Sequence, residues 1–209
     1  MRKFIRALIV LHRTFGSFPL RTRLHTLLRF LSCPLLRVVA CVPPGARLLD
    51  IGAGHGVFAR LAVDAGAARA IAVEPDARKV RPIPGVSFVI GFDEAVRSRH
   101  DAISIVDVLY KIPIEEWDAL LDRVAARLVP GGLLIVKEQD PTARLKNSWN
   151  RLQERLASTL RLTLGESFSY EAPAAFITRL ERHGFTDVRA QRIDAWYPHP
   201  HIVYLAKRP

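Results

Sequence analysis

The chain is poor in cysteine and methionine, and its first 49 residues hold no aspartate or glutamate. Its two cysteines, Cys33 and Cys41, lie eight positions apart with no Cys-x-x-Cys or histidine-rich partner, so neither a disulfide framework nor a metal site is indicated. A reduced, cytoplasmic setting is expected. No apolar run is long enough to span a bilayer. A secretory leader is not expected either: Phe4 to Leu11 is cut by Arg6, ends at His12-Arg13, and leads into more arginine instead of a small-residue cleavage site. An arginine-rich, acid-free start fits an organellar transit peptide in charge, but serine is scarce and the leucine patterning continues. Repeats and low-complexity tracts are also missing, so 209 residues with 49% hydrophobic content read as an ordinary chain with a full core.

The charge that is present falls unevenly. Of 31 basic residues, nine (Arg2, Lys3, Arg6, Arg13, Arg21, Arg23, Arg29, Arg37 and Arg47) precede residue 50, while the other 22 face 20 acidic ones. Nine of the eleven net positive charges therefore belong to the N-terminal segment. That segment reads as two amphipathic helices. The first, about residues 2–14, carries Phe4, Leu8, Leu11 and Phe15 on one stripe. The second, about 20–32, carries Leu20, Leu24, Leu27, Leu28 and Leu31 on one face. Pro34 breaks or restarts the helix, Leu35 to Cys41 form a shorter piece, and Pro43-Pro44-Gly45 turns the chain. Residues 1–44 are expected to form a basic helical unit that lids the active site. Residues 1–40 are also expected to touch an anionic membrane surface peripherally, at the inner face of the membrane; the alternative is that their apolar stripes pack on the sheet and leave the arginines in solvent.

From residue 45 to 209 strand and helix patterns alternate. Strands are expected at 46–51, 69–74, 86–90, 101–107, 132–138, 186–194 and 201–207. Helices are expected at 57–65, 114–128 and 172–183, short pieces at 76–82 and 92–98, and a long stretch from Ala143 to about Leu164. The alternation predicts an α/β fold with a doubly wound, mostly parallel seven-stranded sheet and ligand sites at the C-terminal strand ends. Only Ala195 to Pro200 separates the last two strands, which predicts an antiparallel last strand.

The first strand runs into Asp50-Ile51-Gly52-Ala53-Gly54-His55-Gly56, three alternating glycines ahead of a helix, which is a nucleotide-handling arrangement. Gly54 to Ala59 also satisfies the permissive dinucleotide pattern, with Glu74 at about the distance of a ribose-binding acid. Asp50 separates the two readings. A pyrophosphate on the helix N-terminus would meet like charge there, whereas a ligand with an ammonium and a sulfonium suits it.

Here the chain resembles the class I S-adenosylmethionine-dependent methyltransferases, whose first motif is an acid followed by Gly-x-Gly-x-Gly. The likeness continues through Ala70 to Asp76, Ile103 to Pro113, and Leu128 to Val136, and the final strand pair extends it to the C-terminus. It implies a Rossmann-like methyltransferase fold, S-adenosyl-L-methionine as cofactor, and cofactor contacts from Asp50, Gly52, Gly54, Gly56, Glu74, Phe92, Asp93 and Asp107. The Asn/Asp-Pro-Pro-Tyr/Phe signature of enzymes acting on exocyclic base amines is absent, as is the Asp-Asn pair of the metal-dependent catechol-type enzymes, so no metal is expected.

Methyl transfer is an in-line displacement that needs positioning, and a base only when the acceptor is protonated. Candidate acceptor contacts or bases are Tyr110 and Lys111 after the fourth strand, Glu138 and Asp140 after the fifth, and His199 in the last turn. The expected acceptor is a small molecule, lipid-like or polyketide-like. The alternatives are RNA methylation, disfavoured because the basic residues alternate with leucine and no aromatic stacking stretch accompanies them, and a methyltransferase-like binding protein without turnover.

Overall fold

The structure, a computed structural model, describes residues 1–142 and 169–209. The helical stretch expected from Ala143 to Leu164 lies outside the described residues. Three N-terminal helices, α1 (Arg2–Phe15), α2 (Leu20–Ser32) and α3 (Leu35–Val39), precede β1 (Arg47–Ile51), α4 (Val57–Asp64), β2 (Arg69–Glu74), β3 (Val86–Ile90) and β4 (His100–Val106). Then follow α5 (Trp117–Arg127), β5 (Leu128–Gln139), α6 (Pro173–Arg182), β6 (Thr186–Arg192) and β7 (His201–Lys207). The strands form one seven-stranded sheet in the order β3-β2-β1-β4-β5-β7-β6. The first five pair in parallel, and β7 runs antiparallel to both β5 and β6.

The central strands are buried on both faces, which is why they read as near-continuous apolar runs. Successive residues point to opposite sides. On β1, Leu48 joins the core beneath α1, α3 and α4, while Leu49 and Ile51 join the core beneath α5 and α6. β4 divides likewise, Ala102 and Val106 to the first core, Ile103 and Ile105 to the second. Helix α5 meets its core through Trp117, Leu120, Leu121 and Val124, a spacing of three and four that gives one helical stripe.

Several boundaries differ from expectation. The strand expected at 132–138 begins at Leu128, where it pairs with His100 before the register shifts. The pieces expected at 76–82 and 92–98 are single 3-10 turns, Ala77–Lys79 and Asp93–Ala95. The stripe expected on α1 is rotated: Ala7, Val10, Leu11, Thr14 and Phe15 are buried, and Phe4 stays exposed while stacking near Phe30, ring centroids 5.3 Å apart. On α2 the difference is larger. Thr26 and Phe30 face the core, and all five leucines of the expected apolar face point outward.

Candidate functional site

Parallel strands β1, β2 and β4 end on the same edge of the sheet, and the turns that follow them open a cavity of about 630 Å³. Gly52 after β1, Glu74 at the end of β2, Gly91, Phe92 and Asp93 after β3, and Val108 and Lys111 after β4 contribute to its wall. A cleft at the C-terminal strand ends, where the strand order reverses between β1 and β4, is where ligands bind in open α/β sheets.

The glycine turn is built by sterics that only glycine satisfies. Gly52 has φ +70°, and a Cβ there would sit 2.5 Å from a Val108 methyl. Gly56 has φ +76°, and its Cβ would meet the Phe88 ring at 2.7 Å and an Ile83 methyl at 2.8 Å. Gly52 therefore keeps the cavity wall low, while Gly56 lets the start of α4 pack on the β3 side of the sheet. Gly54 does a third thing: its N–H donates to Glu74 Oε2 at 2.8 Å, which locks the first turn to the second strand. The other oxygen of Glu74 accepts from the Asp76 N–H at 3.1 Å and from Lys79 Nζ at 3.3 Å. The carboxylate is buried yet keeps acceptor capacity beyond these bonds.

Asp50 lies behind the turn. Its Oδ1 accepts from Ser104 Oγ at 2.7 Å, while Oδ2 is buried with no hydrogen-bond partner among the described residues. Burial pushes this carboxyl up to about 7, against the pull of Ser104 and of the Arg29 charge. An acid held at that cost, with one oxygen unpartnered, matches a site that completes itself with a cationic group.

The family model described as methyltransferase domain matches residues 23–190. The chain belongs to the methyltransferase domain family. The fold places this methyltransferase with the class I, S-adenosylmethionine-dependent members. A methyltransferase solved in complex with the methyltransferase activator of Haloferax volcanii superposes with TM-score 0.71 at 14% identity, covering 95% of this chain and 97% of that one. An S-adenosylmethionine-dependent methyltransferase from Thermotoga maritima gives 0.67 at 20% identity, covering 95% and 100%. The magnesium protoporphyrin IX methyltransferase of Synechocystis gives 0.64 at 17%, covering 97% and 94%. A search of curated protein sequences gives no match.

In this methyltransferase the residues after β4 and β5 form a buried polar cluster beside the cavity. Asp107, at φ +59°, is ion-paired with Lys137, whose side chain is wholly buried, and lies 3.7 Å from Arg29 Nη2. Burial acts to raise Asp107, but Lys137 and Arg29 outweigh it and hold the carboxylate below its ordinary range. Glu138 takes the opposite state: burial and the neighbouring Asp107 charge push it up to about 8, although Oε1 accepts from the Val108 and Leu109 amides at 2.9 and 2.8 Å. Its Oε2 is buried without a hydrogen-bond partner among the described residues. Asp107 thus keeps its charge where Glu138 tends to keep its proton. His201 is pushed down to about 4 by burial and by Lys137, and as a neutral ring donates its Nε2–H to the Ser32 carbonyl, 3.2 Å away.

Two expected site residues have other engagements. Asp93, expected as a cofactor contact, lies in the cavity wall with its carboxylate taken by Arg123 at 2.8 and 3.1 Å and by Arg127 at 2.6 Å, so it also anchors α5. Asp140 accepts from the Thr142 N–H and hydroxyl and from Arg192, which makes it a turn cap and a β6 anchor. Of the remaining candidates, Lys111 lines the cavity with its Nζ 5.0 Å from the Tyr110 ring centre. Tyr110 stacks on Tyr170 at 6.1 Å and shares a narrow crevice with Glu138. His199 sits in the last turn, its ring 6.0 Å from that of His201.

Sequence reasoning missed Arg29. From α2 it crosses to the sheet, donates to the Val106 carbonyl at 3.0 Å, and brings Nη1 to 3.8 Å from where a Gly54 Cβ would be. Its signal was weak, one arginine among nine in an acid-free segment. Yet of the three arginines in α2 it alone falls on the helix face opposite the leucines.

Proposed function

We propose that this methyltransferase transfers the methyl group of S-adenosylmethionine to a small, apolar, lipid-like or polyketide-like acceptor. The observation that carries the reading is the buried Glu74 carboxylate, held by the Gly54 amide and facing the cavity across from Gly52. There Glu74 takes the ribose hydroxyls, Phe92 covers the adenine, and the Asp50–Arg29–Asp107 end receives the charged methionine group. The cofactor supplies an electrophilic methyl: the acceptor's lone pair forms the new bond as the carbon–sulfur pair returns to sulfur.

The chain's own residues position and deprotonate. With its carboxyl raised to about 8, Glu138 takes the acceptor proton in its ionised form, so transfer should rise with pH toward that value; Tyr110 in the same crevice and Lys111 on the adjoining cavity wall orient the acceptor. A small-molecule acceptor is supported by neighbours of the same fold that methylate magnesium protoporphyrin IX and 1,6-didemethyltoxoflavin. The test is incubation with methyl-labelled S-adenosylmethionine and a panel of amphiphilic alcohols, amines and carboxylic acids, with RNA in parallel. Label in the organic phase that is lost in Glu138→Gln supports the reading. Label in RNA alone would replace the acceptor class.

A further inference from the structure

We propose that the outer face of α1 and α2 docks this protein on an anionic lipid surface. Leu20, Leu24, Leu27, Leu28 and Leu31 follow one another at helical spacing along α2 and are 40–76% exposed, and no described element packs over them. Ile5 and Ile9, 52% and 46% exposed, add apolar surface on α1. Between the helices runs a groove of about 390 Å³ lined by Leu8, Leu11, Leu20, Leu24 and Leu27, with Arg23 at its side. A contiguous apolar surface of this kind marks an interaction site.

Charge selects the occupant. Arg21 and Arg23 flank the leucine row at 100° per residue, and neither forms an ion pair among the described residues. Arg2, Lys3 and Arg13 add to the same segment, which contains no acid. A second copy of the chain would set arginine against arginine. A bilayer with anionic headgroups instead accepts the leucines among its acyl chains and the guanidinium groups at the phosphates. Docking is peripheral, because among the described residues no helix is long and apolar enough to cross a membrane. The helix is also held for this role from behind, since Phe30, Thr26 and Arg29 fix its inner face to the body of the protein.

The surface stands independently of methyl transfer and is tested without cofactor. The full chain is sedimented with phosphatidylcholine vesicles, with and without phosphatidylglycerol, across a salt series. The expected result is pelleting with the anionic vesicles, weakened by salt, with at least about a tenfold loss of partition in Leu24→Glu/Leu28→Glu. Arg21→Gln/Arg23→Gln is expected to lose roughly tenfold on anionic vesicles. Both pairs are exposed, so circular dichroism and the thermal midpoint should match the parent chain. No pelleting with anionic vesicles overturns the proposal, as does pelleting that neither variant changes. A parent chain that elutes as a dimer, dissociates on Leu24→Glu and ignores vesicles would assign the face to self-association instead.

Discussion

Glu74 joins two parts of the site through one side chain, so its replacement reports on both. Glu74→Gln keeps the shape and an acceptor for the Gly54 amide, but removes the charge from the ribose position. Charge-assisted bonds are worth roughly 1.5–3 kcal/mol, so affinity for S-adenosylmethionine should fall about 10- to 100-fold in a calorimetric titration, and the thermal midpoint should fall as well, because the new amide NH2 faces the Asp76 N–H and Lys79. Asp50 makes a prediction in pH. Its carboxyl stands at about 7 in the folded protein against 3.8 when free, so between those values the folded state keeps a proton that the unfolded chain has lost. That contribution to stability is complete below the lower value and disappears as pH rises through the upper one. Asp50→Asn removes it, so the thermal midpoint of the variant relative to the parent should climb from pH 4 to pH 7; parallel curves would refute the assignment. At this scale residue type and strand position made the glycines and Glu74 legible, because backbone conformation and strand-end chemistry are local. The ion pairs of Asp93 and Asp140 were not legible, because their partners Arg123, Arg127 and Arg192 lie far along the chain and only the folded sheet brings them near.

Helix α2 has two faces with different consequences. Phe30 is buried against Phe4 and the first core, so Phe30→Ala should cost about 3–5 kcal/mol and lower the thermal midpoint by several degrees. Leu31→Ala, one residue on and on the open face, should stay within about 0.5 kcal/mol of the parent in denaturant unfolding. Arg29 couples this element to the site. Arg29→Ala frees the helix from the Val106 carbonyl and from Asp107, and should weaken cofactor binding roughly tenfold. Arg29→Lys should recover part of that at most, because one ammonium replaces a planar fork. Helical periodicity announced α1 and α2 and their leucines correctly as elements. It could not say which side faces the sheet, because on α2 the core is met by a phenylalanine and a threonine, not by the apolar stripe.

For the whole molecule, the order of apolar runs, glycine turns and helices was enough to read a seven-stranded, doubly wound sheet, since each βαβ unit has one favoured hand and neighbour. The antiparallel β7 was legible because so short a connection, eight residues between β6 and β7, permits only a hairpin return. The sheet's edge brings together residues that are scattered in sequence, Gly52, Glu74 and Phe92 on one cavity and Glu138 and Tyr110 in a separate crevice. The most direct measurement is isothermal titration calorimetry of the purified chain with S-adenosylmethionine, S-adenosylhomocysteine and NAD, repeated on Glu74→Gln. Saturable binding of the two sulfur ligands, weakened in the variant, with no heat from NAD, is the predicted result. Binding of NAD alone, or of the sulfur ligands with equal affinity in both proteins, would contradict the placement of the cofactor at Glu74.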